Sequence, residues 1–223
     1  MSAEAPSLST PRTAVAQGGR PGLGTPVLGM LLFITSEVMF FAGLFAAYFT
    51  IRFGHTELVN GVPTQVWPPT QFAGLLNPWR LTTSSGAPNV IVPATVLLII
   101  SSVTCQIGVR AIARGDQRAF IRWISATLAL GAVFLGLQVY DYTDLMREGL
   151  SVGSTTFGTT YFTLTGFHGA HVLAGAVMLA IVLYRGRSKQ FSARHHDMVE
   201  AVSLYWHFVD VVWIVLFSIL YLT

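Results

Sequence analysis

The sequence predicts an all-α fold: a polytopic membrane protein built as a bundle of five transmembrane helices. Three observations carry that prediction. Hydrophobic residues make up 52% of the 223-residue chain and charged residues only 10%, against about 25% charged in soluble domains. Mean hydropathy is +0.60. Five apolar stretches are each long enough to cross ~30 Å of hydrocarbon, which takes ~20 helical residues. Together these exclude a soluble domain.

The elements follow in order. Residues 1–26 are rich in Pro, Gly, Ser and Thr. They read as a disordered cytoplasmic tail, not a secretory signal peptide, because no small-residue cleavage site separates them from the first span. The transmembrane domain runs over 27–223, with helices at about 27–51, 91–111, 119–140, 159–184 and 198–222. The 52–90 connection carries Pro63, Pro68, Pro69, Pro78 and Pro88 and predicts little regular structure. Its Trp67 and Trp79 are expected at the membrane interface or against a partner. Tyr48, Trp123, Tyr140, Tyr142, Tyr161, Tyr184 and Tyr221 lie near span ends, as an interfacial belt requires. No fixed-period repeat and no matched pair of broken helices points to an inverted-repeat transporter.

Charge sets the orientation. The tail and the 2–3 and 4–5 loops hold Arg12, Arg20, Arg110, Arg114, Arg118, Arg122, Arg185, Arg187, Lys189 and Arg194. The other side holds Arg52, Arg80 and Arg147. Ten cations against three place the N-terminus in the cytoplasm and the C-terminus outside. The net charge of +3 is thereby a matter of topology, and no nucleic-acid partner is expected. A single cysteine, Cys105, excludes a disulfide within the chain.

Five titratable residues fall where lipid should be. At ~1.5 Å of rise per residue, Glu37, His168, His171, His207 and Asp210 all lie roughly 14–18 Å deep. A charge at that depth costs about 2.5–3.5 kcal/mol on insertion scales, so the groups are expected to satisfy one another. Glu37 and His207 are the expected closest pair. Two roles stay open at this point: packing between helices and the holding of protons. His168 and His171, at i and i+3, have the residue type of a metal site but lack further ligands. Gln138 and Asp141 sit near the outer end of the third span, and Glu200 near the inner end of the fifth, on the face of His207. Gly166, Ala170 and Ala174 form a small-residue stripe, read as tight packing within the chain. No phosphate loop, nucleophile–base pair or thiolate cluster appears.

Several stretches resemble subunit III of the haem-copper terminal oxidases, in that family's order. They are "SEVMFF" (36–41), "WPP" (67–69), "LQVYDY" (137–142), "TGFHGAHV" (165–172) and "YWHFVDVVWIVLF" (205–217). The resemblance covers nearly the whole chain from about residue 27, in the five-helix bacterial form that lacks the first two helices of the longest members. It implies a non-redox, non-catalytic accessory subunit of a proton-pumping aerobic oxidase in the bacterial plasma membrane. That subunit sits beside catalytic subunit I, with other oxidase subunits and a larger respiratory supercomplex as further partners. Haem and copper are expected in the partner subunits, with no cofactor here except phospholipid. Glu37 matches the family's carbodiimide-reactive glutamate, His168 and His171 its histidine pair, and His207 and Asp210 its last-helix pair. Asp141 stands where many relatives have glutamate. The implied roles are assembly, lipid binding, proton uptake and protection against inactivation during turnover. Quinol-oxidising relatives often have aspartate in the place of Glu37, which favours a cytochrome c oxidase, aa3-type, over a quinol oxidase. Two other readings remain: a haem-b membrane anchor with His168 and His207 as axial ligands, and a self-sufficient transporter or proton channel.

Overall fold

The computed structural model of the chain describes residues 24–59, 61–64, 66–69, 72, 76–79, 81–82 and 88–222. The tail reading, and Arg12, Arg20 and Arg80, lie outside the described residues. Among the described residues there are five α-helices: α1 (Thr25–Gly54), α2 (Ile91–Ala113), α3 (Gln117–Arg147), α4 (Thr156–Arg187) and α5 (Asp197–Phe217). A π-helical turn, Ser218–Leu222, extends α5. All five are long and apolar enough to cross a membrane, with mean hydropathies of 1.8–2.0 in their most apolar stretches.

The helices outrun the predicted spans, most clearly at the outer end of α3, which continues to Arg147. Hydropathy marks the length immersed in hydrocarbon, whereas a helix runs on until its backbone is capped. The caps are identifiable. Asp116 accepts from the Ala119 N–H at 2.9 Å to start α3, and Thr155 accepts from the Gly158 N–H at 3.0 Å to start α4. After α4 the chain reverses through Lys189, at φ 54°. There Lys189 N–H and Gln190 N–H donate to the carbonyls of Gly186 and Arg185.

The described part of the 52–90 connection includes regular structure that its prolines do not predict. Strand β1 (Glu57–Val59) pairs antiparallel with β2 (Val62–Thr64). Gly61 takes φ 82° at the turn, and the Asn60–Gly61 dipeptide is a strong hairpin signal that the proline count obscured. Trp67 is partly buried and makes specific contacts within the chain. Its Nε1–H donates to Tyr48 Oη at 2.9 Å, and its ring packs edge-on against Phe157 at 5.2 Å. It ties the loop to α1 and α4. Trp79 is exposed.

Helix order follows from loop length and from which faces interlock. Short connections set α2 beside α3 and α3 beside α4; α5 then packs on α1, α2 and α4. Trp206 is the keystone. Its indole fills a notch made by Gly131 of α3 and Gly175 of α4, where a methyl group would stand 2.6 Å and 2.9 Å from the ring. Its Nε1–H donates to Ser101 Oγ of α2 at 3.0 Å. Trp213, seven residues on and so on nearly the same face, donates to Thr95 Oγ1 of α2 at 3.0 Å. By contrast α1 is peripheral: 11% of its most apolar stretch is buried, against 50% for α5. Leu28, Leu32, Val38 and Met39 face outward from it.

Candidate functional site: two polar seams inside the bundle

Glu37, His168, His171, His207 and Asp210 all lie in the middle third of their helices, as the depth estimate requires. They do not form one cluster. Glu37 pairs with His171, not with His207. Glu37 Oε2 lies 2.8 Å from His171 Nε2, joining α1 to α4. The expectation for His207 fails on helical phase: α5 presents His207 to α2, while α4 turns His171 towards α1.

The proton inventory of this peripheral seam can be read from its bonds. His171 Nδ1 lies 2.7 Å from the Phe167 carbonyl, which can only accept, so Nδ1 carries a proton. One further proton must lie between Nε2 and Oε2 for the 2.8 Å contact to be a hydrogen bond. Either a carboxylic acid donates to a neutral imidazole, or an imidazolium donates to a carboxylate. The pair is net neutral both ways, which is what mid-bilayer depth demands. Phe41 packs on the imidazole at 5.0 Å and Phe40 stacks on it at 6.1 Å. Both side chains of the pair are about one-sixth exposed, 17% for Glu37 and 16% for His171.

The central seam lies between α5 and α2. His207 Nδ1 is 2.8 Å from Ser102 Oγ, and the same hydroxyl bonds Asp210 Oδ2. His207 Nε2 is 3.3 Å from Gln106 Oε1. Asp210 is buried, and its Oδ1 finds no partner. Ser102 and Gln106 were not singled out from the sequence. The available signal was a run of small and polar residues in an otherwise apolar span, Ser101, Ser102, Thr104, Cys105 and Gln106, as interhelical contacts in lipid favour.

His168 belongs to neither seam. It is fully buried, with its ring stacked on Trp213 at 4.8 Å and edge-on to Phe134 at 6.1 Å, and neither ring nitrogen has a partner. His168 faces Phe134 of α3 and Trp213 of α5, whereas His207 faces Ser102 and Gln106 of α2. Among the described residues, no three His, Cys, Asp or Glu side chains gather in a metal-holding group.

The remaining candidates make contacts apart from both seams. Asp141 Oδ2 accepts from Tyr161 Oη at 3.2 Å, and Tyr161 Oη meets Tyr221 Oη at 2.5 Å, joining α3, α4 and the terminal π turn. Gln138 donates to the Thr165 carbonyl at 3.0 Å, beside Tyr142 Oη, which donates to Thr165 Oγ1 at 2.6 Å. Glu200 does not continue a path towards His207. It is half-exposed and pairs with His196 at 3.1 Å. The Gly166, Ala170, Ala174 stripe does not pack within the chain. Ala170 and Ala174 are exposed, and Gly166 and Ala170 line an apolar groove of about 350 Å³ between α3 and α4. Glycines of α4 that interlock with other helices include Gly169, Gly175 and Gly186, which meet Gln138, Trp206 and Phe120.

Fold and seams define a multi-pass helical membrane protein that holds titratable pairs between its helices at mid-depth. Residues 13–223 match the profile of cytochrome c oxidase subunit III. The cytochrome c oxidase subunit 3 of Corynebacterium diphtheriae is 41% identical, over 93% of this chain and 91% of that protein. The probable cytochrome c oxidase subunit 3 of Nocardia farcinica is 37% identical, over 96% and 97%. That of Thermostichus vulcanus is 37% identical, over 88% and 86%. The chain belongs to the cytochrome c oxidase subunit III family.

Proposed function

We propose that this chain is the non-redox third subunit of a proton-pumping cytochrome c oxidase in a bacterial plasma membrane. It docks beside catalytic subunit I, within a respiratory supercomplex where one forms. Dioxygen chemistry belongs to partner subunits that hold the haem and copper; this chain supplies packing, phospholipid contact and support for proton uptake. Its N-terminus is cytoplasmic and its C-terminus outside, by the asymmetry of its cations. The relatives are named for cytochrome c oxidases, which favours that donor over a quinol.

The observation that carries the proton role is the Glu37–His171 bond. A carboxyl and an imidazole 2.8 Å apart, in a net-neutral pair, can exchange one proton without creating uncompensated charge in lipid. The test is Glu37→Gln in the intact oxidase. The amide can still donate to His171 Nε2, so assembly is kept, while the exchangeable acid is lost. Sustained turnover or proton coupling should fall. Unchanged activity, pumping and lifetime during turnover would remove the role. The haem-b reading is separated by a visible spectrum of the isolated chain, where a Soret band would restore it. Proton flux through liposomes containing this chain alone would restore the channel reading.

A further inference from the structure

We infer that Asp210, Ser102 and His207, braced by Gln106, form a second intramembrane proton-holding site, in which the Ser102 hydroxyl exchanges one proton between the acid and the imidazole. The site is separate from Glu37–His171 and does not depend on it. The argument is one of hydrogen-bond bookkeeping. Ser102 Oγ touches both Asp210 Oδ2 and His207 Nδ1, and a hydroxyl has one proton to give. His207 Nε2 faces Gln106 Oε1, an acceptor, so Nε2 carries a proton.

Two net-neutral arrangements satisfy every contact, and a net charge is costly at this depth. In the first, Ser102 donates to an Asp210 carboxylate, His207 Nδ1–H donates to Ser102 Oγ, and His207 is an imidazolium. In the second, the Asp210 acid donates to Ser102 Oγ, Ser102 donates to the Nδ1 lone pair, and His207 is neutral. They interconvert by two concerted transfers. The Asp210 O–H bond breaks as a new Ser102 O–H bond forms, and the former Ser102 proton bonds to Nδ1. One proton moves from acid to base, and the net charge of the site is zero throughout. That degeneracy is what allows the move in a medium where net charge costs several kcal/mol. A direct Asp–His bond would hold the proton in one contact; the hydroxyl makes a two-bond relay.

Other titratable groups around α5 are engaged elsewhere. Cys105 of α2 points its Sγ at Ser203 Oγ, 3.6 Å away. Glu37 of α1 and His171 of α4 bond each other. His168 is stacked on Trp213. Tyr205 Oη donates to the His171 carbonyl at 3.3 Å. Turning the Gln106 amide round would put the His207 proton on Nδ1 and leave Asp210 either ionised, a net negative site, or protonated on Oδ1, an O–H buried without an acceptor.

The test is infrared spectroscopy of the full chain in its native membrane complex. The Asp210 carboxyl band is assigned by its loss in Asp210→Asn, and the His207 ring bands by isotope labelling and loss in His207→Gln. Between its two titration steps the wild type should hold both acid with neutral imidazole and carboxylate with imidazolium, so the carboxyl and ring bands should each change in both steps, as coupled groups titrate as a pair. Ser102→Ala should uncouple them, so that each band follows one step of its own. Ser102→Thr, which keeps the hydroxyl, should restore the shared steps and shows that the alanine effect is not misfolding. A carboxylate beside a neutral imidazole as the resting form of the wild type, or both bands still sharing both steps in Ser102→Ala, overturns the proposal.

Discussion

The peripheral seam between α1 and α4 and the central seam between α2 and α5 solve one problem by different means. In the first, a carboxyl and an imidazole bond directly across two helices, so that α1, mostly exposed and packed chiefly on α5, gains a polar bond to α4. In the second, the acid and the imidazole share one helix, and α2 supplies the hydroxyl and the amide that complete them. The difference teaches that a His–Asp spacing along one helix is not itself a bond. It becomes a site only when a neighbour contributes a group of the right polarity. A carboxyl on a lone peripheral helix instead needs its complement on another helix. His168 makes the same point in reverse: one turn from His171, it has no polar neighbour and serves as an aromatic ring.

Substitutions can break or sharpen that contrast. The largest effect is expected for Trp206→Ala, which empties the notch between α3 and α4 and removes the bond to Ser101; core losses of this kind cost about 3–5 kcal/mol. Thermal unfolding in detergent, followed by circular dichroism, should register it, and an unshifted midpoint would show that α5 is not anchored there. Next comes His171→Leu, which strands Glu37 at mid-depth, worth about 2.5–3.5 kcal/mol on insertion scales. The Glu37→Leu, His171→Leu double variant should recover part of that loss, and strict additivity in the cycle would deny the pair. Gly175→Val should cost about 1–3 kcal/mol by overpacking against the Trp206 ring. Tyr161→Phe, which removes the donor to Asp141, should cost about 0.5–1.5 kcal/mol and loosen the terminal turn, visible as faster proteolytic trimming of the C-terminus. Ala170→Val should fall within about 0.5 kcal/mol of neutral, because it faces an open groove. A large loss there would return the small-residue stripe to the packed interior.

Much of this was legible in advance. The number of helices followed from hydropathy, and the common depth of Glu37, His171, His207 and Asp210 followed from counting residues along each span. The order of the motifs pointed to the family that the comparisons then gave. What failed was pairing. Depth is the one coordinate a linear reading supplies, and it pairs Glu37 with His207 because it does not distinguish two histidines on different helices. Ser102 and Gln106 went unnoticed because serine and glutamine in an apolar span look like tolerated polar residues until a partner faces them. The glycine stripe was misassigned for a related reason. Gly166 and Gly175 are indistinguishable in composition, and only the position of Trp206 decides which one is filled.

The sequence by itself determined the five spans and the level in the bilayer at which each titratable side chain lies, because both depend on local apolarity and on the constant rise of a helix. The tertiary structure alone decided which helix stands next to which and how each is rotated about its axis. That choice is made by tryptophans seating in glycine notches, a long-range matter of shape, and it joins Glu37 to His171, gives Asp210 and His207 the hydroxyl of Ser102, and leaves His168 among aromatic rings.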